Sequence, residues 1–263
     1  MGASVTLLGV PVATRSLADC ADQVARWARE PARSGGPQYV CPTSVHGLVE
    51  GWRDPAFRAI LAAAALVAPD GVPLVWLGRL KGQRHMTRVF GPDLMIEVCR
   101  RSTQPGRTAR HFFYGGAPGV SEDLARRLTE RFAGLAVVGC IAPPFRDLAE
   151  DEVVAIADTI NRSGADLVWV GLGTPKQERW AAAMRSRLHA KVLVTVGAGF
   201  DYHTGRLRRA PPVMQRAGLE WAYRLAQEPG RLWRRYLTNN PLFVVLAAAE
   251  LLGLAKFGEP RDA

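Results

Sequence analysis

The stretch ADLVWVGLGTPKQERWAAAMRSRLHAKVLVTVGAGF (165–200) decides how this chain folds. It opens on a near-continuous apolar run and turns through glycine and proline. The helical pattern PKQERWAAAMRSRL follows, and a second apolar run, KVLVTVGAGF, closes it. Runs without polar alternation belong to strands covered on both faces, and such strands alternate with helices in parallel sheets. The alternation extends upstream to residue 111. HFFYGG reads as a strand, PGVSEDLARRLTERF as a helix, LAVVGC as a strand, and AEDEVVAIADTINRSG as a helix closing on Gly164.

Nearer the N-terminus, VTLLGVPV reads as a strand and SLADCADQVARWARE as a helix with Ser16 as N-cap candidate. PQYVCP (37–42) is a second short strand, followed by helical stretches through Trp52 and over 55–65. GPDLMIEVCRR is helical, with Pro92 in the first turn where proline is tolerated. After Asp201 the chain becomes basic and aromatic with no further strand pattern. The expected organisation is an α/β core over 1–202 and a basic amphipathic helical appendage over 203–263.

At 263 residues, 48% hydrophobic and 22% charged, the chain is an ordinary globular protein and not a disordered one. Its net charge of +10 suggests an anionic partner: nucleic acid, acidic lipid or a phosphorylated substrate. The four cysteines, Cys20, Cys41, Cys99 and Cys140, form no CxxC pair, which argues against a zinc site and fits reduced thiols. The opening residues lack the basic start and apolar core of a secretory signal. Gly2 followed by Thr6 matches the short myristoylation pattern. PLFVVLAAAELLGLA (241–255) is the longest apolar segment. It is too short to span a bilayer and carries Glu250, so it is expected to lie on a membrane at most.

In parallel sheets ligands bind beyond the carboxyl ends of the strands, where loops meet helix N-termini. Three glycine-bearing loops fall there: YGGAPG (114–119), GLGTPKQE (171–178) and GAGFD (197–201). Glycine lets backbone N–H groups approach a phosphate, although tight strand-to-helix turns need glycine for steric reasons as well. None of the three matches a dinucleotide or ATP fingerprint. Gln177 offers an amide to a sugar or a base, or is a solvated helix-start residue. Asp70, in APDGVPLVW (68–76), sits between Pro69 and Gly71 after an apolar run. That is ordinary turn chemistry, and it is also where a carboxylate beside apolar wall has its basicity tuned by burial.

Several stretches together resemble one family. TSVHGLVEGWRDPAFRAILAAAALVAPDGVPLVW, RVFGPDLM, GLGTPKQERW and VGAGFDYHTGRLRRAPPVMQRAGLEWAYRLAQEPGRLWRRYL are similar to the WecG/TagA/CpsF bacterial glycosyltransferases, in order, over 5–243. The resemblance implies a Rossmann-like α/β fold with a C-terminal basic appendage. It implies transfer of a sugar from a UDP-sugar donor to a sugar on undecaprenyl diphosphate, at the cytoplasmic face of the cell membrane, in cell-wall or exopolysaccharide synthesis. The reaction is expected to invert the anomeric centre without a metal ion or other cofactor.

Carried over by motif, Asp70 becomes the catalytic base, because an inverting transfer needs a carboxylate to take the acceptor proton. Arg88 becomes the cation for the leaving diphosphate. Gln177, with Gly171 and Gly173 of its loop, becomes a substrate contact. The chain departs from the family where it reads Cys41-Pro42-Thr43-Ser44-Val45-His46: Ser44 replaces the usual asparagine and Pro42 a threonine. Serine keeps a hydroxyl but loses the amide's paired donor and acceptor. Thr43, Ser44 and His46 are nonetheless candidate substrate contacts, His46 with a structural alternative. The donor sugar is open among UDP-glucose, UDP-N-acetylmannosamine and its uronic acid, with UDP-hexose preferred.

The appendage carries Arg206, Arg208, Arg209, Arg216, Arg224, Arg231, Arg234 and Arg235 against only Glu220 and Glu228 within 206–235. Trp221, Tyr223, Trp233 and Tyr236 are interleaved. Basic helices with interfacial aromatics suit an anionic membrane surface, and the same arginines suit a lipid diphosphate. A helical arm packed on the core or on a second copy of the chain is the alternative. Nucleic acid has no accompanying recognition motif. Besides the transferase, two readings remain: a catalytically weakened nucleotide-sugar-binding or scaffold member of the family, and a basic nucleic-acid binder.

Overall fold

The structure, a computed structural model, describes residues 4–255 and 257, so the Gly2 pattern lies outside the described residues. The elements run β1 (Ser4–Leu7), β2 (Val10–Ala13), α1 (Leu17–Trp27), β3 (Gln38–Thr43), α2 (Val45–Arg53), α3 (Pro55–Ala62), β4 (Leu66–Pro69), α4 (Val72–Leu80) and α5 (Gly91–Ser102). They continue with β5 (Arg110–Gly115), α6 (Val120–Arg131), β6 (Ala136–Ile141), α7 (Glu150–Ser163), β7 (Leu167–Gly171), α8 (Lys176–Met184), β8 (Val192–Thr195) and α9 (Gly199–His203). Three helices close the chain: α10 (Pro212–Arg216), α11 (Glu220–Gln227) and α12 (Pro229–Leu251). The main sheet has six strands in the order β4-β3-β8-β7-β5-β6. The expected α/β class with a parallel sheet is what forms.

Three local readings are corrected. VTLLGVPV is not one strand: Leu8 and Gly9 take φ of 48° and 79°, a two-residue turn, and β1 folds back antiparallel on β2 as a separate sheet. The apolar run after α3 contains a strand that the helical pattern hid. Four residues, Leu66 to Pro69, are too few to show a period of their own. KVLVTVGAGF is a strand only over Val192–Thr195, and its glycine-bearing end begins the short helix α9.

Contacts divide the chain into two units. One comprises residues up to 17, 42–90 and from 207 on; the other comprises 18–41 and 91–206. The second unit contains the regular alternation. β3 pairs with β8, β8 with β7, β7 with β5 and β5 with β6, all parallel. Phe112, Phe113, Tyr114, Trp169, Val170 and Val194 are buried along these strands. α7 ends as expected on Gly164, left-handed at φ 65°. Gly115 and Gly171 bring the ends of β5 and β7 so close that a Cβ on Gly115 would lie 2.5 Å from the Gly171 carbonyl oxygen.

The first unit is held by its C-terminal residues. α12 packs on α2, burying Leu232, Phe243, Leu246 and Ala247. Arg53 Nη1 donates to Asn239 Oδ1 at 2.8 Å. Glu250 accepts from the Leu8 amide and pairs with Lys81 at 3.0 Å, so the one carboxylate of the apolar segment 241–255 has a cation and a donor. By contact, then, the 203–263 stretch read as an appendage groups from residue 207 on with the chain up to 17 and with 42–90. Among the described residues no helix is long and apolar enough to cross a membrane.

Candidate active site

In the first unit β4 ends on Pro69, and Asp70 follows it directly. The Asp70 amide donates to the Thr43 carbonyl at 2.9 Å, which sets the carboxyl ends of β4 and β3 level with each other. Gly71 is the N-cap of α4 and Ser44 the N-cap of α2, and a Cβ added at Gly71 would lie 3.7 Å from Ser44 Cα. Two helix N-termini therefore start side by side next to Asp70. Neither Ser44 nor Gly71 supplies a side-chain cap; in α4 the second position is Pro73, which has no N–H, and the Leu74 amide donates to the Gly71 carbonyl at 3.1 Å. Thr43 is 3% exposed.

Arg88 reaches Asp70 from the extended segment before α5, which Val89 ties to β4 by donating to the Pro69 carbonyl at 2.8 Å. Its Nε donates to the Asp70 carbonyl oxygen, and its Nη2 lies 3.6 Å from Asp70 Oδ1. The guanidinium also lies on the Phe90 ring, 4.2 Å from the centroid. Nη1 faces a second carboxylate, Glu220 Oε2 on α11, at 2.6 Å. Asp70 and Arg88 are thus brought together. Glu220 joins them unannounced, although it is one of only two acidic residues in the arginine-rich segment.

His46 is placed differently. Its Nδ1 is 2.8 Å from Asn239 Nδ2 of α12 and 3.7 Å from Glu50 Oε1. One ring nitrogen therefore ties α2 to α12, which is the structural alternative realised at that atom.

In the second unit the loop between β7 and α8 is pinned by Gln177, 3% exposed. Its Oε1 accepts from the Gly173 amide at 3.2 Å and the Gly197 amide at 2.8 Å. Its Nε2 donates to Glu178 Oε1 at 3.0 Å. One side chain thus fastens two of the three glycine-bearing loops, and its amide is engaged on both sides. Glycine is needed at 173 and 197, where φ is 79° and 52°. Glu178 is buried, and Thr174 Oγ1 donates to it at 2.8 Å. Burial pushes its carboxyl above the usual range. A buried carboxyl with a raised pKa was not legible in the sequence, where Glu178 is an ordinary first-turn acid.

Of the eight arginines, Arg206 ends the second unit and the others lie in the first. Arg208, Arg209, Arg216, Arg231 and Arg234 are exposed; Arg224 and Arg235 are half-buried. Arg224 and Arg231 are tied to Glu228, and Arg209 lies 4.9 Å from the Phe90 centroid. Among the described residues no group of three or more His, Cys, Asp or Glu side chains is placed to hold a metal ion.

The family model of the glycosyl transferase WecG/TagA/CpsF family matches residues 5–256. An N-acetylglucosaminyldiphosphoundecaprenol N-acetyl-beta-D-mannosaminyltransferase of Bacillus spizizenii is 34% identical over 189 residues, 72% of this chain and 70% of the relative. A protein of the same name from Bacillus subtilis is 28% identical over 186 residues, 71% of this chain and 70% of the relative.

Proposed function

Because the chain belongs to the WecG/TagA/CpsF glycosyltransferase family, whose members resembling it transfer a sugar to an undecaprenyl-linked acceptor, we propose a donor, a mechanism and a place of action. The donor is UDP-N-acetylmannosamine, and the acceptor is N-acetylglucosamine on undecaprenyl diphosphate. The names of both relatives support this pair over the UDP-hexose that the sequence motifs favoured. The β-product in those names suits an inverting displacement on a UDP-sugar. The arrangement that carries the reading is Asp70 at the end of β4 with Arg88 around it.

The acceptor hydroxyl oxygen bonds to the anomeric carbon while the bond from that carbon to the UDP phosphate oxygen breaks. The departing electron pair stays on the phosphate. Asp70 takes the hydroxyl proton, as a base within hydrogen-bond reach. Arg88 and the positive N-terminal ends of α2 and α4 meet the charge that develops on the diphosphate, so the protein's own cation and dipoles take the place of a metal. Ser44, whose hydroxyl makes no cap bond, contacts the donor where the family uses asparagine, with Thr43 beside it. Gln177 acts through the loops it fastens: Gly171 and Gly173 present backbone groups to substrate, and a direct contact by Gln177 costs one of its present bonds.

The acceptor's isoprenoid stays in the bilayer, so the enzyme works at the inner membrane surface. The exposed arginines of 208–234, with Trp221, Trp233 and Leu237 at the surface, support this attachment. The deciding assay offers UDP-N-acetylmannosamine, UDP-glucose and UDP-N-acetylglucosamine in parallel with polyprenyl-diphosphate N-acetylglucosamine. Product from the first donor is expected. Turnover only with UDP-glucose refutes the donor assignment, and UDP binding without turnover of any donor favours the scaffold reading raised by Ser44 and Pro42.

A further inference from the structure

Glu220 is the first residue of α11 and lies against Arg88, 2.6 Å from Nη1. Both side chains are largely buried, at 20% exposure for Arg88 and 13% for Glu220. Yet neither Glu220 oxygen has a partner in hydrogen-bonding geometry, and both oxygens are out of solvent. A carboxylate withdrawn from water and held by charge alone loses the two to four hydrogen bonds its lone pairs would make. Each such group in a folded protein calls for an explanation. Glu250 in the same unit shows the settled alternative, with a backbone donor and a lysine ammonium both in bonding geometry.

The charge count is equally telling. Arg88 carries one positive charge between two carboxylates, Asp70 and Glu220. A diphosphate arriving at that guanidinium meets a pair of negative groups and a cation already engaged. Asp70 has to remain if it is the base, so Glu220 is the group that gives way.

We propose that Glu220 occupies on Arg88 the place that the donor's diphosphate takes, so that donor binding expels Glu220 and loosens α11 from the site. The inference rests on the proposed role of Arg88 toward a nucleoside diphosphate. The exchange is one anion for another on the same fork, and it returns the Glu220 oxygens to water. α11 bears Trp221, which packs on Tyr236 of α12 with centroids 5.7 Å apart. The segment that carries the basic and aromatic surface therefore responds to the donor.

The test uses the full chain and measures UDP and uridine affinity by titration calorimetry at low salt for the unmodified protein, Glu220→Gln and Arg88→Ala. Removing a competing charge at a partly buried fork is expected to tighten UDP about tenfold in Glu220→Gln. Uridine, which lacks the diphosphate, binds both proteins alike, whereas a general loosening of the structure would shift both ligands. Equal or weaker UDP binding by Glu220→Gln overturns the exchange while leaving the donor site in place, provided Arg88→Ala still loses UDP. UDP binding indifferent to Arg88→Ala overturns the role of Arg88 itself. Hydrogen exchange on the unmodified protein decides the matter without any variant. Saturating UDP should speed exchange of the amides of 220–227, and slowed exchange there contradicts the proposal.

Discussion

Asp70 and Arg88 touch, and each constrains what the other can do. Replacing Asp70 by Asn keeps the backbone bonds of the position, the amide to Thr43 and the carbonyl to Arg88 Nε, and removes only the carboxylate proposed as the base. Turnover is expected to fall by about 10² to 10⁴ with UDP affinity nearly unchanged, measured by transfer assay beside calorimetry. Near-normal turnover would end the assignment. Arg88→Ala should depress transfer as well, whereas EDTA should not. Inhibition by EDTA that magnesium or manganese reverses would replace the arginine with a metal in the account. Lysine is no substitute at 88, since a point charge cannot hold the Asp70 carbonyl and two carboxylates from three sides.

Among the titratable groups that the second unit buries, His111 and Glu178 have opposing effects on stability. His111 on β5 accepts from Trp169 Nε1 of β7 at 3.0 Å, and burial lowers its pKa from 6.5 to about 4. The folded protein resists protonation there while the unfolded chain accepts it. Stability from this site is therefore complete above pH 6.5 and drains away as pH falls toward 4, by about 3 kcal/mol in full. His111→Asn keeps an acceptor for Trp169 without a titrating ring. Its melting temperature should fall less steeply over that window, and an identical slope would contradict the assignment. Glu178 in α8 has the opposite sign. Its folded pKa is raised, so its stability is present below 4.5 and is lost as pH rises through the higher folded value. Glu178→Gln, which keeps the acceptor for Thr174 and Gln177, should be more stable than the unmodified protein at alkaline pH. Glu178→Ala should be less stable at every pH, because two buried donors lose their partner.

The C-terminal residues are at once the basic surface and part of a hydrophobic interior, and the two roles separate by experiment. Cutting the chain after Tyr202 removes Leu232, Phe243, Leu246 and Ala247 from the first unit and strips Asn239 from Arg53. Such a truncation should fail to fold, which makes it a poor probe of membrane binding. Charge reversal at Arg231, Arg234 and Arg235 spares the buried apolar face. Binding to anionic vesicles should weaken with salt in the unmodified protein, since screening shortens to about 8 Å at physiological ionic strength. The triple glutamate variant should lose that binding and retain transfer to a short, water-soluble acceptor. Salt-insensitive binding that survives the substitutions would move attention to Val244, Val245, Leu252 and Leu254, all well exposed on and after α12.

By itself the sequence determined the α/β class and the succession of elements from 111 to 195, and its resemblance to the family implied Asp70 and Arg88 as site residues. These are local patterns: each strand lies in an apolar run of six residues or more flanked by helical stretches, and each motif is contiguous in the chain. Tertiary structure alone decided the hairpin at Leu8-Gly9, the strand Leu66–Pro69 and the engagement of Gln177 by Gly173 and Gly197. It alone set Glu220 against Arg88 and Asn239 against His46. A four-residue strand that continues the apolar run of a helix, as Leu66–Pro69 does, shows no period of its own. A polar side chain chooses its partner by distance in space, and the 131 residues of chain between Arg88 and Glu220 leave no trace of that choice in either neighbourhood.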